Sequence, residues 1–309
     1  LGEKMKAGAA LADFNSNGKD DIVVGTDNDN IYLIYDDGSI APGFPYTTGD
    51  KIQAPPSIQE INGEKIIFSG SNDNSFYAIK SDGTLLFSVT TGDKILSSPS
   101  FLEQNGQVYI FFGSNDDMIY SVDSGGNSLS GWPIDVSGNI GGSVVFADLD
   151  GDNTAEVIAA TDMGDVVAFH LNGDPYPYFP IANEFPFSGA PMTTDLDNDG
   201  DLEIVTGSGS NLFVIDIKES GSNSNYWSMF RGNVKRTGTY LPEDDDPSCG
   251  ADLGDVTGDG NINILDLVQI ANYILEVSTP MYECAADFTQ DGNVNILDLV
   301  QIANYILDN

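Results

Sequence analysis

The first 240 residues return to one short phrase five times, and this periodicity limits the possible folds more than any other feature. Gly2-Glu-Lys-Met5 is followed by Gly49-Asp-Lys-Ile52 and Gly92-Asp-Lys-Ile95, then more loosely by Gly138-Asn-Ile140 and by Phe187. Taking Met5, Ile52, Ile95, Ile140 and Phe187 as equivalent gives steps of 47, 43, 45 and 47 residues. That spacing accommodates four strands per unit. A unit of this size cannot bury its own faces, so successive units must stack.

Each unit then reads as strands. A β-branched or aromatic run ends in small residues: Ile22-Val-Val-Gly25, Ile66-Ile-Phe-Ser-Gly70, Tyr109-Ile-Phe-Phe-Gly113, Val157-Ile-Ala-Ala160 and Ile204-Val-Thr-Gly207. A third strand follows at Ile31, Ser75, Met118, Val166 and Leu212, and turns such as Asp37-Gly38, Asp82-Gly83 and Asn172-Gly173 introduce an outer fourth. These dipeptides between strand formers are hairpin signals. The expected fold is mainly β, a five-bladed propeller over residues 1–240. The region resembles secreted propellers with FG-GAP-like and quinoprotein-like repeats, and Trp227 to Tyr240 is similar to the closing segment of that group.

The last sixty residues contain one unit twice. Asp255-Val-Thr-Gly-Asp-Gly-Asn-Ile-Asn-Ile-Leu-Asp266 and Asp287-Phe-Thr-Gln-Asp-Gly-Asn-Val-Asn-Ile-Leu-Asp298 each lead into an identical Leu-Val-Gln-Ile-Ala-Asn-Tyr-Ile-Leu. Calcium takes six to eight hard oxygens, which a loop supplies at alternate positions. The first set is Asp255, Thr257, Asp259, the Asn261 carbonyl, Asn263 and Asp266; the second is Asp287, Thr289, Asp291, the Asn293 carbonyl, Asn295 and Asp298. Gly260 and Gly292 occupy the sharp turn, where a Cβ is unwelcome. With an aspartate closing each loop, residues 249–309 resemble a dockerin, the small all-α calcium module that enters a cohesin domain. Where many dockerins carry a Ser-Thr pair for partner choice, this chain has Ile264-Leu265 and Ile296-Leu297. The resemblance therefore implies a more apolar partner surface at those four residues. Leu267, Ile270 and Ile274 are expected to fill the core between the repeats, which predicts near-twofold symmetry.

Three units of the repeat region carry a second calcium signature in their first hairpin. These are Asp13, Asn15, Asn17 and Asp21; Asp148, Asp150, Asp152 and Glu156; and Asp195, Asp197, Asp199 and Glu203. Oxygens again alternate, and a carboxylate closes the loop at the ninth position. Units two and three have short turns instead. Calcium is the expected cofactor, with two ions in the C-terminal module and up to three in the repeat region.

Leu241 to Ser248 reads as an acidic, proline-bracketed linker. Cys249 and Cys284 precede the two dockerin-like loops, a placement that favours a disulfide over two free thiols. With 48 acidic and 11 basic residues the formal net charge is -37. That balance argues against nucleic acid and anionic membrane surfaces as partners. No run of eighteen apolar residues is present for a membrane span. Leu1 reads as a mature terminus or a processed start.

Recognisable chemistry is sparse. The single histidine, His170, has no nucleophile context, and no zinc spacing, phosphate-binding glycine loop or Gly-x-Ser-x-Gly elbow occurs. Trp132, Tyr176, Tyr178 and Phe179 are candidates to stack on sugars, or to pack between blades. The expectation is a non-catalytic building block of an extracellular assembly, secreted by a prokaryote. Its connector would enter a cohesin-like domain or another copy of itself in a head-to-tail filament. The alternative is a polysaccharide-binding or polysaccharide-degrading component brought to a cellulosome-like scaffold.

Overall fold

The computed structural model describes the chain except residues 198, 210, 225, 234, 241–252, 276, 278–282, 287, 289–293 and 309, and the side chains of 283, 284 and 308. The linker and the Cys249–Cys284 pairing lie outside the described residues. The chain divides into two units, Leu1–Tyr240 and Leu241–Asn309.

The first unit contains five antiparallel sheets in chain order. Sheet 1 is β1 (Ala10–Ala12), β2 (Asp21–Gly25), β3 (Asn30–Ile34) and β4 (Tyr46–Thr47). Sheet 2 is β5 (Ser57–Ile61), β6 (Glu64–Gly70), β7 (Ser75–Lys80) and β8 (Leu85–Thr90). Sheet 3 is β9 (Ser100–Gln104), β10 (Gln107–Gly113), β11 (Met118–Asp123) and β12 (Ile134–Asp135). Sheet 4 is β13 (Val145–Ala147), β14 (Glu156–Ala160), β15 (Asp165–Phe169) and β16 (Ile181–Ala182). Sheet 5 is β17 (Met192–Thr194), β18 (Asp201–Gly207) and β19 (Leu212–Ser220).

The small residues ending the second strands have a steric reason. A Cβ on Gly25 would lie 2.0 Å from Ile52 Cγ2, and one on Gly70 would lie 2.2 Å from Ile95 Cγ2. On Gly113 it would lie 2.2 Å from Ile140 Cβ. Each glycine thus seats the isoleucine that opens the next repeat. The pattern fails at one seam, because nothing lies within 4 Å of the Gly207 position and Met5 is 49% exposed. The other equivalents, Ile52, Ile95, Ile140 and Phe187, are buried.

Three of the outer strands are short. β4, β12 and β16 have two residues each and follow Pro45, Pro133 and Pro180, which have no N–H to give a ladder. β8 has no such proline and runs for six residues. No fourth strand pairs with β19 among the described residues.

The stretch from Ser222 to Tyr240 reaches the first strand of every sheet. Phe146 N–H donates to the Trp227 carbonyl at 2.9 Å, and Thr193 N–H to the Ser228 carbonyl at 2.9 Å. Leu11 N–H donates to Thr237 at 3.1 Å, and Ile58 N–H to Gly238 at 2.8 Å. The buried Trp227 ring meets Phe101 of β9 edge-on at 5.3 Å. The largest core runs through sheets 2, 3 and 4, with Phe76 and Phe112 stacked at 3.9 Å.

The second unit holds α1 (Ile264–Ile274), a 3-10 turn (Glu283–Ala286) and α2 (Ile296–Asp308) around Val256, Ile270, Ala285, Ala286 and Ile302. Leu267 and Ile274 pack partly against this core. Each helix starts at an asparagine cap. Asn263 Oδ1 accepts from Leu265 N–H while Asp266 Oδ2 accepts from Asn263 N–H, and Asn295 and Asp298 repeat both bonds.

Candidate calcium loops and docking face

Two nearly buried carboxylates face one another across the first C-terminal loop. Asp255 is 2% exposed and Asp266 is fully buried. The Thr257 hydroxyl sits between them, 3.2 Å from Asp255 Oδ1 and 2.9 Å from Asp266 Oδ1. Asp255 also accepts from the backbone N–H groups of Gly258, Asp259 and Gly260 at 2.7, 3.2 and 2.8 Å. Burial pushes its pKa up, but the Gly260, Gly258 and Asp259 amides outweigh this and hold it below the usual range. Gly260 has φ +82°, the left-handed backbone the sharp turn requires.

Asp259, Asn261 and Asn263 continue the ring. Asn261 N–H donates to Asp259 Oδ1 at 2.9 Å, and Asn263 Nδ2 donates to the Asn261 carbonyl at 3.0 Å. Residues 249–309 contain no Lys, Arg or His. No side chain of this module can neutralise its buried carboxylates, so the all-oxygen donor set fits a hard divalent cation. Of the second loop, Asn295 and Asp298 are described, and Asp298 is fully buried like Asp266. Asp287, Thr289, Asp291 and Asn293 lie outside the described residues.

The repeat-region hairpins use a related arrangement. The closing carboxylate turns inward and accepts from the N–H of the second loop position. Asp21 accepts from Phe14 at 2.8 Å, Glu156 from Leu149 at 2.8 Å, and Glu203 from Leu196 at 2.6 Å. In sheet 4, carboxylate oxygens of Asp148, Asp150 and Glu156 lie within 4.8 Å of one another, whereas Asp152 Oδ1 accepts from Thr154 N–H instead. Sheet 5 gathers Asp195, Asp197 and Asp199, and also Asp199, Asp201 and Glu203. Asp201 was not among the expected ligands, because it stands at the seventh loop position, where the other two hairpins have Lys19 and Thr154. Its pKa is pushed up to about 6 by burial and by Asp199.

Glu156 is pushed up to about 7, chiefly by burial, against the opposing hydrogen bonds from Leu149 and His170. His170 Nδ1 lies 3.0 Å from Glu156 Oε1, which gives the lone histidine a place beside this loop.

The first hairpin differs. Asn17 Nδ2 donates to Asp36 Oδ1 at 2.8 Å, outside the loop, and Lys19 Nζ holds the same carboxylate at 3.1 Å. Asn15 approaches Asp21 at 3.4 Å, and Asp13 accepts from Asn17 and Gly18. No group of three carboxylates forms there among the described residues. The amide at position five explains the divergence, since it can donate to a neighbouring aspartate and a carboxylate cannot.

Exposure separates the helix residues into two sets. Ile270 and Ile302 are fully buried, whereas Ile264 is 63%, Leu265 58%, Ile296 59% and Leu297 58% exposed. Val268 and Val300, one turn on from Ile264 and Ile296, are exposed as well. The candidate sugar-stacking aromatics of the first unit divide differently. Trp132 and Tyr176 are buried, Phe179 packs against a core, and Tyr178 is 95% exposed.

Comparison with known proteins follows this division. Residues 253–307 match the dockerin type I domain, and residues 148–206 match the FG-GAP-like repeat. No curated protein matches the chain. Among solved structures, the chain is similar to the V. cholerae biofilm matrix protein Bap1, at 20% identity and TM-score 0.52 over 71% of this chain and 39% of that one. It is also similar to BamB from Moraxella catarrhalis, at 15% identity and TM-score 0.48 over 72% of this chain and 61% of that one. BBS1N in complex with ARL6DN gives 17% identity and TM-score 0.45 over 64% and 61%. The chain thus spans about three fifths or less of these proteins, and the Bap1 likeness speaks to the fold alone. The dockerin match contains both candidate C-terminal loops, and the FG-GAP-like match contains the acidic hairpins of sheets 4 and 5.

Proposed function

We propose that this chain is a non-catalytic, calcium-stabilised component of an extracellular assembly, and that its C-terminal module is the connector. The observation that carries this reading is the apolar set Ile264, Leu265, Ile296 and Leu297, exposed at the starts of two helices that are each capped by a buried aspartate, Asp266 and Asp298. Exposed apolar residues so grouped mark an interface, and the dockerin match supports a cohesin as the partner. The five sheets are read as a five-bladed propeller that serves as the body. Support comes from the Ser222–Tyr240 stretch, which bonds or stacks with the first strand of each sheet. Such contacts fit first strands arranged around a common centre. Secretion by a prokaryote belongs to the same proposal.

The test is calorimetry of the full chain against a panel of purified cohesins, in calcium and in chelator, with light scattering of the chain alone. Calcium-dependent binding that is lost in Ile264→Asp/Ile296→Asp supports the reading. Calcium-dependent self-association lost in the same variant would make a second copy the partner. Turnover of a polysaccharide by the purified chain would overturn the non-catalytic assignment.

A further inference from the structure

One register runs through all five sheets. The residue that ends each second strand stands opposite one third-strand residue: Gly25 opposite Ile31, Gly70 opposite Phe76, Gly113 opposite Ile119, Ala160 opposite Val166 and Gly207 opposite Leu212. Ile31, Phe76, Ile119 and Val166 are fully buried, whereas Leu212 is 73% exposed. Val214, two residues along β19, is 45% exposed.

The outer strands account for this contrast. Tyr46, Val89, Ile134 and Ile181 stand opposite the four buried residues. Two positions before each comes an aromatic residue, Phe44, Phe87, Trp132 or Phe179, and each aromatic packs into or against a core. β8 shows the pattern without proline, with Val89 opposite Phe76 and Phe87 opposite Ala78. An aromatic residue, any residue and then an apolar residue thus make up the covering strand in sheets 1 to 4.

β19 presents the same edge uncovered. It runs for nine residues without proline, and no fourth strand pairs with it among the described residues. Ser208 N–H donates to the Asn211 carbonyl at 2.9 Å, which turns Asn211 toward β18. Alternation then places the backbone N–H and C=O groups of Leu212 and Val214 on the open edge, a template for strand addition. The four outer strands of this chain that carry the covering pattern are already seated, and a net charge of -37 sets one copy against another. The occupant that fits is therefore a strand from a different protein.

We propose that the β19 edge takes up an extended segment of another protein as the fourth strand of sheet 5. The segment runs antiparallel to β19, with an apolar residue opposite Leu212 and an aromatic residue two positions before it. Main-chain hydrogen bonds along the edge supply affinity, and the two side chains supply selectivity. The edge belongs to the first unit and is independent of what the C-terminal module docks into.

The test is fluorescence anisotropy of a labelled peptide with the sequence of residues 84–91, Thr-Leu-Leu-Phe-Ser-Val-Thr-Thr, titrated with the full chain in calcium. Saturable binding with Kd below about 1 mM is expected. A second peptide, with the Phe and the following Ser exchanged, moves the ring to the other strand face and is expected to bind at least about tenfold more weakly. Leu212→Asp is expected to weaken the first peptide about tenfold or more. Leu212 is exposed, so an unchanged unfolding midpoint assigns that loss to recognition. Val214→Pro removes an edge N–H where an edge strand tolerates proline, and is expected to weaken binding as much. The proposal is overturned if the first peptide does not bind, if the exchanged peptide binds equally, or if both variants leave binding unchanged. Dimers of the chain alone that Leu212→Asp dissociates would put a second copy on the edge and overturn it too.

Discussion

The Arg231 guanidinium donates to the Pro56 carbonyl at 3.0 Å across 175 positions of sequence. The same buried group donates to the Ala9, Arg236 and Thr237 carbonyls, so four backbone acceptors and no carboxylate hold the charge. Burial lowers the Arg231 pKa to about 10. Two of these carbonyls lie just ahead of β1 and β5, so Arg231 ties the final stretch of the first unit to its first two sheets.

Replacing that side chain leaves buried carbonyls without donors. Arg231→Met is expected to destabilise the first unit by about 3 kcal/mol or more, and Arg231→Lys by less. Both tryptophans, Trp132 and Trp227, belong to the first unit. Urea unfolding of the full chain followed by tryptophan fluorescence therefore reports that unit alone.

A pair of alanine substitutions tests the seating of isoleucine against glycine. Gly70→Ala places a Cβ 2.2 Å from Ile95 Cγ2 and is expected to cost about 1–3 kcal/mol. Gly207→Ala meets nothing within 4 Å and is expected to be neutral or stabilising by up to about 1 kcal/mol. Equal effects in the same fluorescence assay would refute the steric account.

Asp266 both closes the first C-terminal loop and accepts from the Asn263 cap N–H. Asp266→Ala is expected to lower calcium stoichiometry by one in calorimetry and to remove about 1 kcal/mol of capping from α1. Chelation of the parent chain is expected to reduce the far-UV helical signal of the second unit. Unchanged stoichiometry would place the ion elsewhere.

Alkaline titration probes two equivalent tyrosines. Burial first, and then the hydroxyl's hydrogen bond to Asp73 for Tyr77 and to Asp116 for Tyr120, push both phenols up to about 12. A raised folded pKa favours the neutral phenol. The contribution is thus fully present below the unfolded value of about 10 and is lost as pH rises to about 12. Absorbance at 295 nm is expected to show a late class of phenols that diminishes in Tyr77→Phe and Tyr120→Phe. Disappearance of the early class instead would contradict the assignment.

Much of this was legible in the chain because the signals are local. Alternating oxygens in Asp255–Asp266 predict a loop that turns its carboxylates inward, and a β-branched run ending at Gly70 predicts a strand with one bare site. The Asn62-Gly63 and Asn105-Gly106 turns were legible for the same reason. The structure decided where a side chain chose between neighbours distant in sequence. Asn17 turns to Asp36, and Trp132, open in the sequence between stacking on sugars and packing between blades, donates to the Leu171 carbonyl at 2.9 Å.

By itself, then, the sequence determined the repeat length, the strand runs, the loop ligand order and the two capped helices, since each depends on residues within a turn or two of one another. The tertiary structure alone decided which aromatic residues are exposed, how Arg231 is satisfied and which seam leaves Met5 open. Those outcomes depend on which strands come to lie side by side, and hydrophobic burial and hydrogen-bond satisfaction across the whole unit select that arrangement.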